Sequence, residues 1–246
     1  MRVVAIVQAR MGSSRLPGKV LAELGGTTML AQVVRRLDAA RRVAKIVVAT
    51  STAVEDDAIV HAAGQLGAGV HRGSAADVLG RFFGAARAFR ADAIVRITAD
   101  CPLIDPGVVD QVIAALAGDM DYASNTHERT FPRGLDVEAL HRDVLERITR
   151  LGRSAAAREH VTSYAMEHPE LFRIAHVRAD HDDSDLRWTV DTPEDLATMQ
   201  KLYSELGLGA DLRPYHEIVA AVRARPELAA GNAHVVQKPW QESHVA

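Results

Sequence analysis

The 246-residue chain is 48% hydrophobic and 25% charged, the composition of an ordinary globular protein with enough residues to bury a large core. Its formal net charge of -3 leaves no general basic field, so a nucleic-acid-coating role is excluded and any phosphate site must be local. Cys101 is the single cysteine, which excludes an internal disulfide and a multi-cysteine metal site and reads as a small packing residue.

The chain begins MRVVAIVQAR, whose short apolar run meets polar residues at once, far short of a signal-peptide core or a membrane span. A cytoplasmic protein with no membrane association is therefore expected. That run, residues 3–7, reads as a buried strand, and similar runs follow at 45–49, 93–97 and 186–190. Between them, Ala58, Ile59, Ala62, Ala63 and Leu66 have helical spacing, as do Val108, Val109, Val112, Ile113 and Leu116. Leu196, Met199, Leu202, Tyr203 and Leu206 form a third such stripe. Asp105-Pro106 and Thr192-Pro193 read as helix N-cap and first-turn pairs, with Asp195 where a capping-box acid belongs.

Alternating buried strands and amphipathic helices predict an α/β fold, a mostly parallel sheet with helices on both faces and function gathered at the carboxyl ends of its strands. Residues 121–138 break the rhythm: Tyr122, Phe131, Pro132 and Gly134 sit among polar residues, which predicts a strand, an arm and another strand. After Arg225 helical periodicity is lost, and the tail is expected to be ordered only by packing elsewhere. With no internal repeat or linker, one domain over residues 1–246 is expected.

The stretch QARMGSSRLPGKVL, residues 8–21, follows the first strand and carries Arg10, Arg15, Lys19 and two glycines. Glycine lets backbone N–H groups approach phosphate, and arginine and lysine aim charge at it, so the loop reads as a phosphate cradle or, on the blander reading, a basic surface turn. It is not a Walker A loop: Gly12 and Gly18 enclose five residues, and Val20 stands where a hydroxyl is required. Asp100 in RITADCPLIDP and Asp191 in RWTVDTPEDL are each expected at a strand's carboxyl end. Either alone reads as a residue near a helix cap; two carboxylates facing a cationic loop are the parts needed to hold Mg2+ on a triphosphate. The acidic run at 180–185 reads as a solvated turn, His160 and His168 fit no metal-ligand pattern, and no Gly-x-Ser-x-Gly elbow occurs.

Together, QARMGSSRLPGKVL, DCPLIDP, YASN, FPRGLDVE, EHVTSY, LRWTVDTPEDL and NAHVVQK resemble the spore-coat polysaccharide synthesis F-type family, related to the acylneuraminate and 3-deoxy-manno-octulosonate cytidylyltransferases. The resemblance covers nearly the whole chain. It implies a Rossmann-like nucleotide-diphospho-sugar transferase fold, Mg2+ as cofactor, and a homodimer paired through the arm at 121–138. The implied reaction moves CMP from CTP to an acidic sugar or similar small acceptor with release of pyrophosphate, in surface polysaccharide or glycoconjugate precursor synthesis. Arg10, Arg15 and Lys19 fall on triphosphate-holding positions, with backbone contacts from Ala9, Gly12 and Ser13. Asp100 and Asp191 fall on the metal positions, so Arg15, Lys19, Asp100 and Asp191 form the implied catalytic set. Arg72 and Ser74 fall near the cytosine site, together with Thr98, which stands where the octulosonate enzymes carry glutamine. Asn125, Arg133, Asp136 and Glu138 fall at the acceptor pocket. Two rivals are a nucleotide-sugar glycosyltransferase, which commonly needs an Asp-x-Asp pair that Asp100-Cys101-Pro102 does not supply, and a nonenzymatic relative, against which the retained charged set speaks.

Overall fold

The computed structural model describes residues 1–237. In chain order its strands are β1 (Val3–Gln8), β2 (Glu23–Leu24), β3 (Thr27–Thr28), β4 (Lys45–Ser51), β5 (Gly69–Gly73), β6 (Ala93–Thr98), β7 (Tyr122–Ser124), β8 (Glu138–His141) and β9 (Ile174–His176). Its helices are α1 (Met29–Asp38), α2 (Asp57–Gln65), α3 (Val78–Ala88), α4 (Pro106–Ala114), α5 (Arg142–Leu151), α6 (Ala155–His160), α7 (Ser163–Glu167), α8 (Pro193–Leu206) and α9 (Tyr215–Ala224).

Strands β2 and β3 pair with each other; the rest form one sheet in the order β5-β4-β1-β6-β8-β7-β9, in which only β8 runs against its neighbours. The fold is the mostly parallel sheet expected. Helices cover both faces because successive strand residues point opposite ways. Val3, Ala5 and Val7 of β1 pack with Leu30, Val33, Val112, Met199 and Ile218 from α1, α4, α8 and α9. Val4 and Ile6 pack on the other face with Leu79, Phe82, Leu145 and Ile148 from α3 and α5.

Both expected caps form. The Asp105 carboxylate accepts from the N–H groups of Gly107 and Val108, and Thr192 and Asp195 make a reciprocal capping box at the start of α8. The arm also has its expected flanks, since β7 and β8 pair antiparallel. Between them Phe131, Leu135 and Val137 are buried in this chain's own core, so pairing of two copies here would rest on the arm's polar residues.

The expected strand at 186–190 does not join the sheet. It is an extended segment held by loops: Arg133 N–H donates to Leu186 O (2.9 Å), Trp188 N–H to Arg133 O (2.6 Å) and Val190 N–H to Asp100 O (2.8 Å). Its apolar residues, including fully buried Trp188 and Val190, reported burial rather than a ladder. Asp191 therefore follows an extended connector, whereas Asp100 lies in the turn just after a sheet strand, β6. The described part of the tail, residues 226–237, is ordered by packing, as expected: turns at Pro226–Leu228 and Ala230–Asn232 bury Leu228 and Asn232. Lys238, the last residue of NAHVVQK, lies outside the described residues. None of the described helices is long and apolar enough to cross a membrane.

Candidate active site

The sheet order reverses direction at β1, with β4 on one side and β6 on the other, and the loops leaving β1 and β6 flank the crevice where ligands collect in such sheets. The β1 loop is tied down at its start. Met11 N–H donates to the Asp56 carboxylate (2.7 Å), which also accepts from the backbone and hydroxyl of Ser51 at the end of β4. Burial alone would raise the Asp56 pKa, but these donors hold it below the ordinary value. The N–H groups of Ser13 and Gly18 both turn inward to Met11 O at 2.9 Å. Gly18, at φ +71°, takes a left-handed conformation that favours glycine and opens the single turn Lys19–Leu21.

That turn drives Lys19 inward. Its ammonium, on a side chain only 9% exposed, donates to Asp100 Oδ2 (2.7 Å), Val190 O (2.7 Å) and Asp191 Oδ1 (2.9 Å). Burial would lower the Lys19 pKa, but Asp100 and Asp191 hold it above the ordinary value. Burial would likewise raise Asp100, yet the ammonium and the Thr98 hydroxyl keep its carboxylate below the usual range. The other oxygen of Asp191 meets Arg15 (3.2 Å) and Arg187 (3.1 Å). Arg187 is fixed by Asp195, which it grips with two nitrogens at 2.8 and 2.9 Å, and by Gln237 of the tail (2.6 Å). Asn232, also of the tail, donates to Asp195 Oδ1 (2.8 Å) and Arg187 O (3.1 Å). Arg15, Lys19, Asp100 and Asp191, expected as one set, are thus in one network.

Arg10 and Gly12 are exposed at the loop's mouth, Ser13 is half-buried beside them, and Ala9 is buried with its N–H bonded to Ala49 O. Arg72 is spent on structure: its guanidinium donates to Ser51 O, Ala53 O and Asp57. Ser74 is exposed, and its carbonyl accepts from buried Arg81.

Beyond β6 lies a cavity of about 600 Å³, lined by Arg96, Thr98, Arg129, Arg133, Asp136 and Glu138 among others. Two of its three arginines are neutralised: Arg129 holds Asp136 with two nitrogens (2.6 and 3.0 Å), and Arg96 pairs with Glu138. Burial would raise the Glu138 pKa, but Arg96 and the hydroxyls of Thr162 and Tyr122 hold it down. Arg133 has no side-chain hydrogen bond or ion pair among the described residues; burial and the nearby Arg129 push its pKa down. Asn125 does not line the cavity. Its amide is consumed by Leu135 O (2.6 Å) and Val137 N–H (2.9 Å), clasping the base of the arm. The cavity's far wall comes from EHVTSY, where Val161, at φ +57° and ψ -60°, makes a strained γ-turn that aims Thr162 at Glu138. Cys101 is buried beside Asp100, and burial and that charge push its thiol pKa well up, so it carries no thiolate chemistry.

Sequence reasoning missed Asp56, Arg96, Arg129, Thr162 and the Arg187–Asp195–Asn232 chain. Arg96 carried a legible signal, a lone charge inside the apolar run AIVRIT; the others became visible only when separate segments met.

A cationic loop facing two converging carboxylates, on this sheet order, defines a nucleotidyltransferase-type α/β protein. The chain belongs to the cytidylyltransferase family, whose model matches residues 4–217, and is a CTP-dependent nucleotidyltransferase. It is 33% identical to the spore coat polysaccharide biosynthesis protein SpsF of Bacillus subtilis, over 92% of this chain and 96% of that one. It is 36% identical to an uncharacterised protein of Methanocaldococcus jannaschii, over 98% and 99% of the two chains. The solved structure of a cytidylyltransferase from Leptospira borgpetersenii superposes with a TM-score of 0.88 at 34% identity, covering 93% of this chain and 97% of that one.

Proposed function

We propose that the chain transfers CMP from CTP to a small acidic acceptor and releases pyrophosphate, with Mg2+ held between Asp100 and Asp191. The observation that carries this reading is the convergence of two carboxylates from separate connections on one buried cation, beside the loop that follows β1. The donor set suits Mg2+: Asp100, Asp191 and Val190 O are hard oxygens already gathered around a positive charge. Among the described residues no group of three or more His, Cys, Asp or Glu gathers as a metal site, which fits an ion that takes further oxygens from phosphate and water. When bound, it would supply charge neutralisation on the triphosphate.

The loop's backbone at Gly12, with Arg10 and Arg15, would hold the triphosphate, whereas the N–H groups expected from Ala9 and Ser13 are already spent on Ala49 O and Met11 O. An acceptor oxygen attacks the α-phosphorus; the new P–O bond forms as the bond to pyrophosphate breaks, and Arg15 and Lys19 stabilise the departing charge. No enzyme nucleophile is required. Arg72 would shape the cytosine side through its hold on the 51–57 connection, with Ser74 and Thr98 nearer the base. Arg133 would receive the acceptor's anionic group, while Asp136 and Glu138 orient Arg129 and Arg96 around it. A homodimer and a setting in surface polysaccharide precursor synthesis complete the reading, the latter supported by the likeness to the Bacillus protein.

The test is a pyrophosphate-release screen crossing four nucleoside triphosphates with acidic acceptors, with and without Mg2+. Release is expected with CTP, metal and one class of acceptor together. Transfer from a nucleotide sugar without pyrophosphate release would replace this reading with a glycosyltransferase.

A further inference from the structure

We infer that Lys19 keeps the metal's place in the nucleotide-free protein, so that a divalent cation enters only as the triphosphate draws the lysine away. The inference rests on the reading of Asp100 and Asp191 as the metal-holding pair. An ammonium has three N–H donors, and here all three are used, on Asp100 Oδ2, Asp191 Oδ1 and Val190 O at 2.7 to 2.9 Å. Lys19 is therefore not presented to solution as a waiting phosphate ligand. A cation held by the same oxygens at roughly 2.1 Å would overlap the ammonium and be repelled by it. The two positive groups exclude each other from one position.

The surroundings allow the exchange. Lys19 stands on one short turn behind left-handed Gly18, and its flexible four-carbon stem can swing without unfolding that turn. Arg15, the other loop cation on Asp191, is about a third exposed and is free to turn toward phosphate as well. Arg187 stays: Asp195 and Gln237 lock it, so Asp191 keeps one oxygen anchored while the oxygen facing Lys19 is released. Withdrawal of Lys19 also frees the Val190 carbonyl, a further hard oxygen at the same point. Nucleotide and metal become mutually dependent through one side chain.

The probe is Mn2+, followed by electron paramagnetic resonance on the full chain without nucleotide, for the wild type, Lys19→Met and Lys19→Gln. Both variants are expected to bind Mn2+ more tightly than the wild type by about five- to a hundredfold, the usual size of a coupling between two ligands. Equal affinity in all three would overturn the inference, because a lysine that only binds phosphate leaves the nucleotide-free site unchanged. Thermal denaturation gives a second readout: Mn2+ should raise the midpoint of either variant more than that of the wild type. A variant that Mn2+ does not stabilise, folded or not, also overturns it. Asp191→Asn with CTP present separates the two layers. If it binds Mn2+ as the wild type does, the two-carboxylate reading falls too; if it loses Mn2+ while the lysine variants gain none without nucleotide, only the place-keeping role falls.

Discussion

Arg133 reaches the cavity without a partner among the described residues, whereas Arg96 and Arg129 are each closed by a carboxylate. Arg133→Ala is therefore expected to raise the acceptor KM by about ten- to a hundredfold, the 1.5–3 kcal/mol typical of a hydrogen bond to a charged group, and to leave the CTP KM nearly unchanged. Initial-rate kinetics varying each substrate in turn checks this; an equal change in both constants would count against an acceptor role. Arg15→Ala should instead cut turnover by about 10²- to 10³-fold, as loss of one charge-stabilising donor commonly does, with the fold retained by circular dichroism. Glu138 is a different case, an ionised carboxylate buried against Arg96, Tyr122 and Thr162. Glu138→Gln leaves Arg96 buried and unpaired, and should cost about 3–5 kcal/mol in denaturant unfolding. Because folding lowers the Glu138 pKa, its contribution is fully present above the unfolded value of about 4.3 and is lost as pH falls through the folded value. Wild-type stability should thus decline below about pH 4, and unfolding curves across that range should be flatter for Glu138→Gln.

At the scale of elements, the carboxyl-terminal turn acts on the site from behind. Asn232 holds Asp195 and Arg187, and Arg187 holds Asp191. Asn232→Ala should cost about 1–3 kcal/mol, the penalty for leaving buried polar groups unsatisfied, and lower turnover as Asp191 loosens. Unfolding and pyrophosphate-release measurements on the one variant check both; full turnover would detach the tail from the site. The same elements mark what could be read in the chain beforehand. Strands β1, β4 and β6 were legible because each is a buried apolar run, and Asp105-Pro106 and Thr192-Pro193 because cap chemistry is local. The segment at 186–190 misled because Trp188 and Val190 are as buried as strand residues, while its hydrogen-bond partners, Arg133 and Asp100, lie far away in sequence. Strand β5, GVHRG, escaped notice because its residues are all half-buried and mostly not apolar. Gly134 shows the same limit: its φ of +107° and the Trp188–Thr189 backbone packed where a Cβ would stand explain the glycine of FPRGLDVE only once the arm and the connector are seen together.

In the whole molecule that connector ties the arm to the loops that follow β1 and β6. Its beginning is bonded to Arg133 in the arm, its end to Asp100 after β6 and to Lys19 in the loop that follows β1. A ligand that draws Arg133 into the cavity must strain or relieve the same backbone that sets Val190 O and Asp191. Acceptor and nucleotide should therefore bind cooperatively, and thermodynamics requires the factor by which acceptor alters CTP affinity to equal the factor by which CTP alters acceptor affinity. Calorimetric titrations in both orders, with a CTP analogue that cannot react, should return one and the same factor different from unity. Gly134→Ala, which pries the arm from the connector, should bring it toward one. The two substrates would then communicate through five residues of extended chain, with no domain closure needed to carry the signal.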